Sequence, residues 1–343
     1  MPTLPPRVTI AEVARRAGVS MMTVSRVVND KDGVGPATRQ RIRLLINQLG
    51  YRPSSIARGL ATQRTGTLGL VVPDVANPFF ADVVSGAEQV AYQQGFSLLL
   101  CNTEEDPQRE LDVLQLLEEK RVDGIMLCSS RLAPGPLRQA LAHYPAAVLV
   151  NQQLMPAEGT SIVGAVLLDD ELGGQIIASH LVHRGHHRIG YLSGPTTSFS
   201  GQRRGRGYHA ALSTAGIEPQ PGWIHACWPT VAGGQQASRK LLNQHPELTA
   251  LLCFNDLVAV GVLQAAAEAG RRVPDDLAVT GYDDIELAAL VTPSLTTCRV
   301  DRETLGRRAA SLLLEHLSGS LGESPRIETI TLKPELIVRA SAP

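Results

Sequence analysis

Short apolar runs alternate with amphipathic stretches along most of the chain, and this alternation restricts the possible folds more than any other feature. The runs begin at Thr67 and are TLGLVV, SLLLCN, GIMLC, AAVLV, VGAVLL, RIGYLS, ALLCF and LAVTGY. Amphipathic stretches such as 80–94, 108–120 and 257–269 lie between them. Strands that alternate with helices pair in parallel, because each helix returns the chain across the sheet. The pattern predicts an α/β fold with parallel sheet.

The number of strand-like runs indicates more than one sheet. Eight runs are more than one small doubly wound sheet requires. A polar stretch around 155–161 interrupts the pattern, and we interpret it as a crossing between two similar halves. A length of 343 residues also suits two or three compact units.

Cap residues near the N-terminus predict three short helices. Thr9 and Glu12 have the capping-box spacing, in which the Glu12 side chain reaches back to the first residue. The other start and stop residues are Gly18, Ser20, Pro36 and Gly50. They bound helices over 10–17, from the Ser20 cap to about 28, and over 36–49. The Gly-Val-Ser turn between the first two is typical of a helix-turn-helix.

Positive charge is concentrated in this same segment, although the whole chain has a net charge of −1. Residues 1–65 carry eleven Lys and Arg against three Asp and Glu, a net charge of +8, which leaves −9 for residues 66–343. This asymmetry favours a polyanion as partner of the N-terminal segment alone. A solvated charged face is the alternative, and it leaves the near-absence of acids unexplained.

The second helix supplies candidates for DNA contact, because a recognition helix contacts base edges with its N-terminal residues. Arg26 has the geometry to pair with O6 and N7 of a guanine, and the alternative is a phosphate contact. Met21 and Met22 can pack against thymine methyl groups, and the alternative for Met22 is core filling against the first helix. The candidates on this helix are Ser20, Met21, Met22, Thr23, Ser25, Arg26 and Asn29.

A linker follows the third helix and contains two further candidates, Ala57 and Leu60. The segment 55–61 allows barely two helical turns, and Gly59 costs about 1 kcal/mol relative to alanine. We therefore expect this helix to form only when something packs against it. Leu60 is interpreted as a wedge between base steps in the minor groove, and the alternative is packing onto the α/β body.

The motifs present predict no catalytic, metal or cofactor site. Residues 205–210 fit G-x-G-x-x-A, but they do not abut the strand RIGYLS and no acid follows about twenty residues on, so dinucleotide binding is rejected. The histidines around HRGHHR are interpreted as a helix end. The five scattered cysteines are typical of reduced thiols, and neither a signal peptide nor a membrane helix is evident. We expect a cytoplasmic protein with no membrane partner.

The runs TIAEVARRAGVSMMTVSRVVN and ATRQRIRLLINQLGYRPSSIARGLA strongly resemble the LacI/GalR family of bacterial transcription regulators. The later runs GTLGLVVPDVANPFFADVVSGAE, KRVDGIML, HRGHHRIGYLSG, RRGRGYHAAL, CFNDLVAVGVL and RVPDDLAVTGYDD resemble the body of the same family. The resemblance covers residues 9–340. It implies a three-helix DNA-binding domain with a hinge helix, then a type I periplasmic-binding-protein-like body of two subdomains that close on a small ligand.

Domain boundaries follow from the resemblance and from the changes of pattern. The helix-turn-helix domain is expected over 1–53, the hinge helix and linker over 54–66, and the effector-binding and dimerisation domain over 67–343. Within the last, the N-subdomain is expected at about 67–160 and 294–322. The C-subdomain is expected at about 161–293 and 323–343.

The resemblance also implies roles for particular side chains. Arg204 matches an arginine that holds ligand hydroxyls or carboxylates, and a structural ion pair of Arg204 with Asp283 is the alternative. Two positions depart from the family: Asn151 stands where many relatives carry an acid, and Ser198 stands where purine-binding relatives carry an arginine. Tyr51 matches a contact to the DNA backbone. The expected effector-binding residues are Phe79, Phe80, Asn151, Ser198, Arg204, Asn255 and Asp283.

The expected function is that of a homodimeric repressor of carbohydrate uptake or catabolism genes. It would bind a palindromic operator in double-stranded DNA under the control of a sugar or sugar-acid effector. The nearest alternative is the same fold controlled by a phosphoprotein corepressor. A non-regulatory sugar-binding protein and an enzyme are further alternatives, against which the missing signal peptide and the missing nucleophile argue respectively.

Overall fold

The computed structural model of the protein describes residues 8–52, 64–154, 161–319 and 327–343. The chain divides into two compact units, Met1–Thr65 and Gly66–Pro343, which we call the N-terminal unit and the body. The expected linker helix, with Ala57 and Leu60, lies outside the described residues.

The N-terminal unit contains the three predicted helices. They are α1 (Ile10–Ala17), α2 (Met21–Val28) and α3 (Pro36–Leu49). The hydroxyl of Thr9 accepts the N–H of Glu12 at 3.3 Å, and that of Ser20 accepts the N–H of Thr23 at 3.1 Å. Each bond satisfies a backbone donor that the first turn of a helix leaves unpaired. Gly18 ends α1 with a φ of 64°, a conformation that favours glycine.

One half of the expected capping box is wrong. The Glu12 carboxylate turns away from the helix start and accepts hydrogen bonds from Arg15 Nη2 at 2.6 Å and Arg16 Nε at 2.7 Å. Charge-assisted hydrogen bonds are stronger than a bond to a neutral backbone N–H. The Glu12 carboxylate therefore binds the arginines one turn later instead of the backbone N–H of Thr9.

A small apolar core holds the three helices together. Its buried side chains are Val13, Ala14, Ala17, Val24, Val27 and Ile42. On α2 and α3 the buried positions are Val24, Val27 and Ile42, while Val28 is only partly buried.

The described residues of the body form two parallel sheets and one antiparallel strand pair. The strands are β1 (Thr67–Val72), β2 (Ser97–Asn102), β3 (Gly124–Cys128), β4 (Ala147–Val150), β5 (Ile162–Leu168), β6 (Ile189–Leu192), β7 (Ile224–His225), β8 (Ala250–Cys253), β9 (Ala278–Thr280), β10 (Thr297–Arg299), β11 (Glu328–Leu332) and β12 (Glu335–Ile337). The six-stranded sheet has the order β11-β5-β4-β3-β1-β2, and the four-stranded sheet the order β7-β6-β8-β9. All eight strand-like runs of the sequence are strands, and the predicted parallel pairing is confirmed.

Helices cover the faces of both sheets, which explains why β3, β4 and β5 are buried along their whole length. The helices of the body are α4 (Pro78–Gln93), α5 (Pro107–Glu119), α6 (Pro134–Leu141), α7 (Asp170–His183), α8 (Phe199–Thr214), α9 (Val231–Gln244), α10 (Asp256–Glu268), α11 (Glu286–Leu290) and α12 (Arg302–Leu317). The three stretches predicted as helical correspond to α4, α5 and α10, each shifted by one or two residues.

Glycines bring α7 and α8 into close contact. A Cβ on Gly207 would lie 2.0 Å from the carbonyl oxygen of Glu171, and one on Gly174 would lie 2.2 Å from that of Arg204. The G-x-G-x-x-A match therefore has a packing cause within α8, because the second of its glycines allows the helices to touch. This contact fixes the position of Arg204 relative to α7.

The subdomain boundary from the sequence differs from the sheet membership. Segments 161–168 and 323–332 were expected in the C-subdomain, but β5 and β11 pair with each other and join the six-stranded sheet beside β4. β5 is buried along its whole length, as expected of an inner strand covered on both faces, and it pairs with β4 on one side and β11 on the other. The strands on either side of the expected crossing around 155–161, β4 and β5, belong to the same sheet, and residues 155–160 lie outside the described ranges.

Several side chains that attracted attention in the sequence have structural environments. His180 Nε2 lies 2.9 Å from the carbonyl oxygen of Ala342, and His186 Nδ1 lies 3.1 Å from Thr249 Oγ1. In the described ranges, no group of His, Cys, Asp and Glu side chains converges as a metal site would require. Nor does any helix in these ranges have the length and apolarity to cross a bilayer. The cysteines, all free thiols, are Cys101, Cys128, Cys227, Cys253 and Cys298.

Candidate functional site

The N-terminal end of α2 presents two apolar side chains to solvent. Met21 is 55% exposed and Met22 is 68% exposed, directly after the Ser20 cap. The alternative that Met22 fills the core against α1 is therefore wrong. Large exposed apolar side chains at a helix start cost solvation free energy, which favours a partner that covers them.

The other candidates on α2 differ in how far the helix itself uses them. Asn29 donates to the backbone carbonyl of Ser25 at 2.9 Å, so its amide caps the end of α2. Thr23 and Ser20 share a hydroxyl hydrogen bond of 2.9 Å. Arg26 is exposed, and its guanidinium lies beside the backbone of Gly33. A Cβ built on Gly33 would lie 2.9 Å from Arg26 Nη1. Of these residues, Arg26 has the most side-chain donors available to DNA.

Acids in the N-terminal unit are largely neutralised by arginines. Glu12 binds Arg15 and Arg16, and hydrogen bonds from these two side chains lower its pKa. Asp30 forms ion pairs with Arg39 and Arg43. The positive excess of the unit therefore remains for a polyanion. Tyr51 packs partly buried against the core of this unit, and burial raises the pKa of its hydroxyl.

A cleft lies in the body at the carboxyl ends of the strands of both parallel sheets. It contains about 370 Å³ of space, part of it open to solvent. The first wall, after strands of the six-stranded sheet, consists of Asn77, Phe79, Phe80, Glu105, Ser129, Arg131 and Asn151. The second wall, after strands of the four-stranded sheet, consists of Ser198, Ser200, Arg204, Pro229, Phe254, Asn255 and Asp283. Ligands of parallel α/β sheets bind at this end of the strands.

All seven side chains expected at the effector site line this one cleft. They are Phe79, Phe80, Asn151, Ser198, Arg204, Asn255 and Asp283. The structure brings these residues together, and their contact with an effector stays a prediction.

Arg204 is a buried cation in the second wall of the cleft. Its Nε donates to Asp170 Oδ1 at 2.8 Å, its Nη1 donates to the carbonyl of Phe254, and its guanidinium carbon lies 3.5 Å from the ring centroid of Tyr282. Burial alone would lower the pKa of Arg204, but Asp170 and Asp283 outweigh it and raise the pKa. The guanidinium is thus permanently charged and held rigidly at the cleft surface.

Asp283 lies beside Arg204 without a hydrogen bond to it. The shortest contact, from Arg204 Nη2 to Asp283 Oδ1, is 3.8 Å. Burial raises the pKa of Asp283 to about 7, against the opposing charges of Arg204 and Arg302. The alternative of a purely structural ion pair fits Arg204 and Asp170 better than Arg204 and Asp283, because only the former pair is hydrogen-bonded.

The first wall contains a second buried arginine with its own carboxylate. Arg131 donates from Nη2 to Glu105 Oε1 at 3.2 Å and from Nη1 to the carbonyl of Ser129 at 2.6 Å. Both charged side chains of this pair are less than 10% exposed. Sequence reasoning missed this pair. Because Ser129 and Arg131 directly follow β3, the strand-end rule could have found Arg131.

Three of the expected polar residues also hold the backbone in place. Asn255 caps α10 by accepting the N–H of Val258 at 2.9 Å, and Ser198 caps α8 by accepting the N–H of Gly201 at 3.1 Å. Asn151 accepts the N–H of Leu168 at 3.2 Å, which joins β4 to β5. All three residues line the cleft, and Asn255 also donates from Nδ2 to the carbonyl of Pro229 at 3.4 Å.

Ser200 is a polar residue of the cleft that the sequence did not single out. Its Oγ is buried and, among the described residues, has no hydrogen-bond partner. A buried hydroxyl without a partner costs about 1–3 kcal/mol, so its position in the cleft favours a ligand that satisfies it.

Aromatic rings complete the cleft. Phe79 and Phe80 begin α4 and contact each other edge to face, with ring centroids 5.0 Å apart. Asn77 starts this helix by accepting the N–H of Phe79 at 3.0 Å. Apolar rings beside fixed charges and amides suit a ligand with one apolar face and several hydroxyl groups.

A basic helix-turn-helix unit followed by a body with a ligand-sized cleft at its strand ends is the architecture of a DNA-binding transcriptional regulator controlled by a small molecule. Residues 9–54 match the family described as bacterial regulatory proteins, lacI family. Residues 65–335 match the family described as periplasmic binding proteins and sugar binding domain of LacI family. The chain therefore belongs to the lacI family of bacterial regulatory proteins.

Individual proteins agree with this assignment. The chain is 37% identical over 336 residues to the ribose operon repressor of Escherichia coli strain K12, covering 97% of this chain and 99% of that protein. It is 35% identical over 336 residues to the HTH-type transcriptional repressor PurR of Mannheimia succiniciproducens, covering 97% and 98%. The expected family is confirmed.

Solved structures give the same result for the fold. The Lac repressor dimer bound to operator and the anti-inducer ONPF matches with a TM-score of 0.86 at 28% identity, covering 98% of this chain and 99% of that one. The complex of the transcriptional regulator CelR with cellobiose matches with a TM-score of 0.73 at 33% identity, covering 98% and 100%. The expected fold class, a helix-turn-helix domain with a type I periplasmic-binding-like body, is confirmed.

Proposed function

We propose that this protein is a cytoplasmic homodimeric repressor that binds a palindromic operator. Its affinity for the operator falls or rises when a neutral polyhydroxylated molecule occupies the cleft. The observation that supports the proposal best is the pair of buried arginine–carboxylate groups, one on each wall of the cleft. A ligand between them can bond to both walls at once and so change how the walls are placed relative to each other.

The charges favour a neutral ligand over a sugar acid. Arg131 is bound by Glu105, and Arg204 is bound by Asp170, so each guanidinium is already neutralised. Asp283 adds a further carboxyl group at the cleft surface. A ligand carboxylate would find no unneutralised cation here and would be repelled by Asp283 in its ionised form. Hydroxyl groups can accept from the arginines and donate to the acids.

The relatives support repression of genes for a small nutrient. One relative is named as the ribose operon repressor, and one structural neighbour is described with cellobiose. Another neighbour is described as a dimer bound to operator, which fits a two-fold symmetric complex on a palindrome. We infer a role in regulation rather than catalysis.

The ligand proposal is tested by thermal shift with a panel of neutral sugars, sugar acids and purine bases. Neutral sugars, including ribose and cellobiose, should raise the melting temperature, and sugar acids should not. A positive shift from sugar acids alone would contradict the charge argument.

A serine pair provides the matched control for the cleft. Ser200→Ala should keep the fold and weaken the sugar identified by the panel roughly 2- to 13-fold, the value of one hydrogen bond. Ser238→Ala should leave binding unchanged, because Ser238 is equally buried but donates to the carbonyl of Gln235 outside the cleft. Equal effects of the two substitutions would place the ligand elsewhere. Isothermal titration calorimetry measures both.

The DNA proposal is tested on duplexes selected from a random library by the full chain. The logarithm of the affinity should fall linearly with the logarithm of salt concentration, with a slope of about −0.9 per phosphate contacted. Arg26→Ala should cost about 1–3 kcal/mol at one guanine position. Arg15→Ala, whose arginine binds Glu12, is the control and should have no base-specific effect. Binding that is independent of salt would overturn the proposal.

A further inference from the structure

The methionines of this protein are unevenly placed. The described ranges contain Met21, Met22 and Met126. Met126 lies in the middle of β3 and is 0% exposed, whereas Met21 and Met22 are 55% and 68% exposed at the start of α2. Thus both exposed methionines of the described ranges stand side by side on the helix assigned to DNA contact.

We propose that Met21 and Met22 form an oxidation-sensitive modification site, at which conversion to methionine sulfoxide weakens or redirects operator binding. The proposal rests on the DNA-binding function proposed above. The oxidant is a hydroperoxide such as hydrogen peroxide. Its O–O bond breaks, one oxygen atom joins the thioether sulfur, the sulfur is oxidised by two electrons, and the second oxygen leaves as water.

The effect on DNA binding follows from the polarity of the product. A thioether is an apolar partner for a thymine methyl group and a very weak acceptor. A sulfoxide has a strongly polar S=O group that accepts hydrogen bonds and donates none. In the major groove it would be desolvated opposite base edges rich in acceptors, such as N7, O6 and O4. Against a thymine methyl group and its O4 such a group stays unpaired, so the oxidised helix binds its former site less tightly. At other sites the amino groups of adenine N6 or cytosine N4 can donate to the sulfoxide, which would redirect binding.

The thiols of the protein compete poorly for the same oxidant. The thiolate is the reactive form of cysteine, and burial raises the pKa of Cys227 to about 11 and also raises that of Cys101. Cys128, Cys253 and Cys298 are buried. Cys101 and Cys227 are only partly exposed, so Met21 and Met22 are the most exposed sulfur-containing side chains among the described residues.

DNA occupancy should itself control the modification. A duplex seated on the start of α2 covers Met21 and Met22, so the bound protein is protected and the free protein is oxidised. Oxidation then traps the free state until a methionine sulfoxide reductase restores the thioether.

The test uses the full chain and a duplex selected from a random library by the untreated protein. Hydrogen peroxide treatment is followed by excess dithiothreitol, which reverses thiol oxidation but leaves sulfoxides. Peptide mass spectrometry locates the added oxygen, and fluorescence anisotropy measures affinity. We expect sulfoxide at Met21 and Met22, slower oxidation with duplex present, and roughly 5- to 150-fold weaker binding, the cost of one unpaired polar group.

Leucine variants separate this effect from other damage. Met21→Leu/Met22→Leu keeps apolar side chains of similar size, so it should bind DNA and resist peroxide. Met126→Leu is the matched control and should be as sensitive as the wild type. If the double variant binds no DNA, the proposal is tested by the peroxide sensitivity of the single variants Met21→Leu and Met22→Leu. The protection of Met21 and Met22 by duplex tests it as well.

Three results would overturn the proposal: full sulfoxide at both positions with unchanged affinity and base preference, equal peroxide sensitivity of the double leucine variant, or no protection by duplex. Failure of the untreated protein to select any duplex would instead contradict the DNA-binding function itself.

Discussion

The carboxyl group of Asp283 shows how the surroundings of one residue prepare it for a ligand. Its backbone has a φ of 107°, in the region that favours glycine, and its carbonyl accepts a hydrogen bond from Arg302. Burial raises the pKa of the side chain to about 7, so it is present in both protonation states near neutral pH. A group that can both donate and accept suits a hydroxyl-rich ligand, and the strained backbone is consistent with a functional position.

The raised pKa predicts a specific dependence of stability on pH. Because the folded protein holds the proton of Asp283 more tightly than the unfolded chain does, the free energy of unfolding should fall as pH rises from about 4 to about 7. Asp283→Asn removes this loss, so the stability advantage of the variant over the wild type should grow by on the order of 1–4 kcal/mol between pH 5 and pH 8. Urea unfolding at a series of pH values measures the difference.

Asp112→Asn serves as the control, because Asp112 is exposed and only contacts Gln108 at 3.1 Å. It should show no such divergence between pH 5 and pH 8. A variant at position 283 that tracks the wild type across this range would show that the carboxyl group is ionised throughout.

At the same scale, sequence reasoning succeeded where the cause of a structure is local. The caps Thr9 and Ser20 bond to residues three positions away, so they fixed the starts of α1 and α2. The pair of Arg131 and Glu105 was missed, because the two residues are 26 positions apart and only the sheet brings them together.

At the scale of elements, the same distinction explains what could be predicted. The apolar runs located β1 to β6, β8 and β9. In β3, β4 and β5 the reason is burial on both faces, which demands apolar residues at every position. The edge strand β2 is apolar although it is largely exposed. The pairing of β5 with β11 could not be inferred, because it joins segments more than a hundred residues apart. For the same reason Arg204 and Asp283 were assigned to the cleft by family resemblance rather than by pattern.

The contact between α7 and α8 yields a prediction at this scale. In Gly207→Ala the new Cβ would lie 2.0 Å from the carbonyl oxygen of Glu171, which a rigid backbone cannot accommodate. The helices must separate, so we expect a loss of about 1–3 kcal/mol of stability despite the better helix propensity of alanine. Because Arg204 lies on α8 one turn before, binding of the cleft ligand should weaken as well.

Gly205→Ala is the matched control for this substitution. Gly205 lies in the same helix α8, and a Cβ there would come no nearer than 3.3 Å to another residue, at Cε1 of Tyr191. Thermal unfolding should show a much smaller change there, because the better helix propensity of alanine offsets a slight adjustment of that ring. If the alanine at position 207 proved equally harmless, the close approach of α7 and α8 would not be a requirement of the fold.

At the scale of the whole molecule, the two walls of the cleft are joined where the chain passes from β10 to α12. Arg302, the first residue of α12, donates to Asp82 on α4 at 2.7 Å and to the backbone carbonyls of Asp283 and Asp284. Helix α4 also carries Phe79 of the first wall, and Asp283 belongs to the second. One guanidinium therefore contacts elements of both walls, and a ligand that changes their spacing must alter its bonds.

Asp284 strengthens this junction, because it binds arginines beside both β10 and β12. Its carboxylate binds Arg299 Nε at 2.8 Å and Arg339 Nη2 at 2.7 Å. Arg299 ends β10 and Arg339 follows β12, which pair as the antiparallel strands of the body. The segments that contain β10 and β12 are thus both bound by Asp284. Because Asp284 is next to Asp283, a change in the backbone of the cleft also affects these ion pairs.

We therefore expect Arg302→Met to weaken the coupling between the ligand and DNA. Operator affinity without ligand should be unchanged, and ligand affinity should fall somewhat because Arg302 also bonds the carbonyl of Asp283. The factor by which ligand changes operator affinity should shrink roughly 2- to 30-fold. By linkage, the factor by which operator changes ligand affinity must shrink equally. Arg307→Met on the same helix is the control, because among the described residues Arg307 hydrogen-bonds Glu303 and Thr304 of its own helix. Anisotropy titrations with and without saturating sugar measure the factor, and a coupling in Arg302→Met equal to that of the wild type would mean that the signal between the walls passes through other contacts.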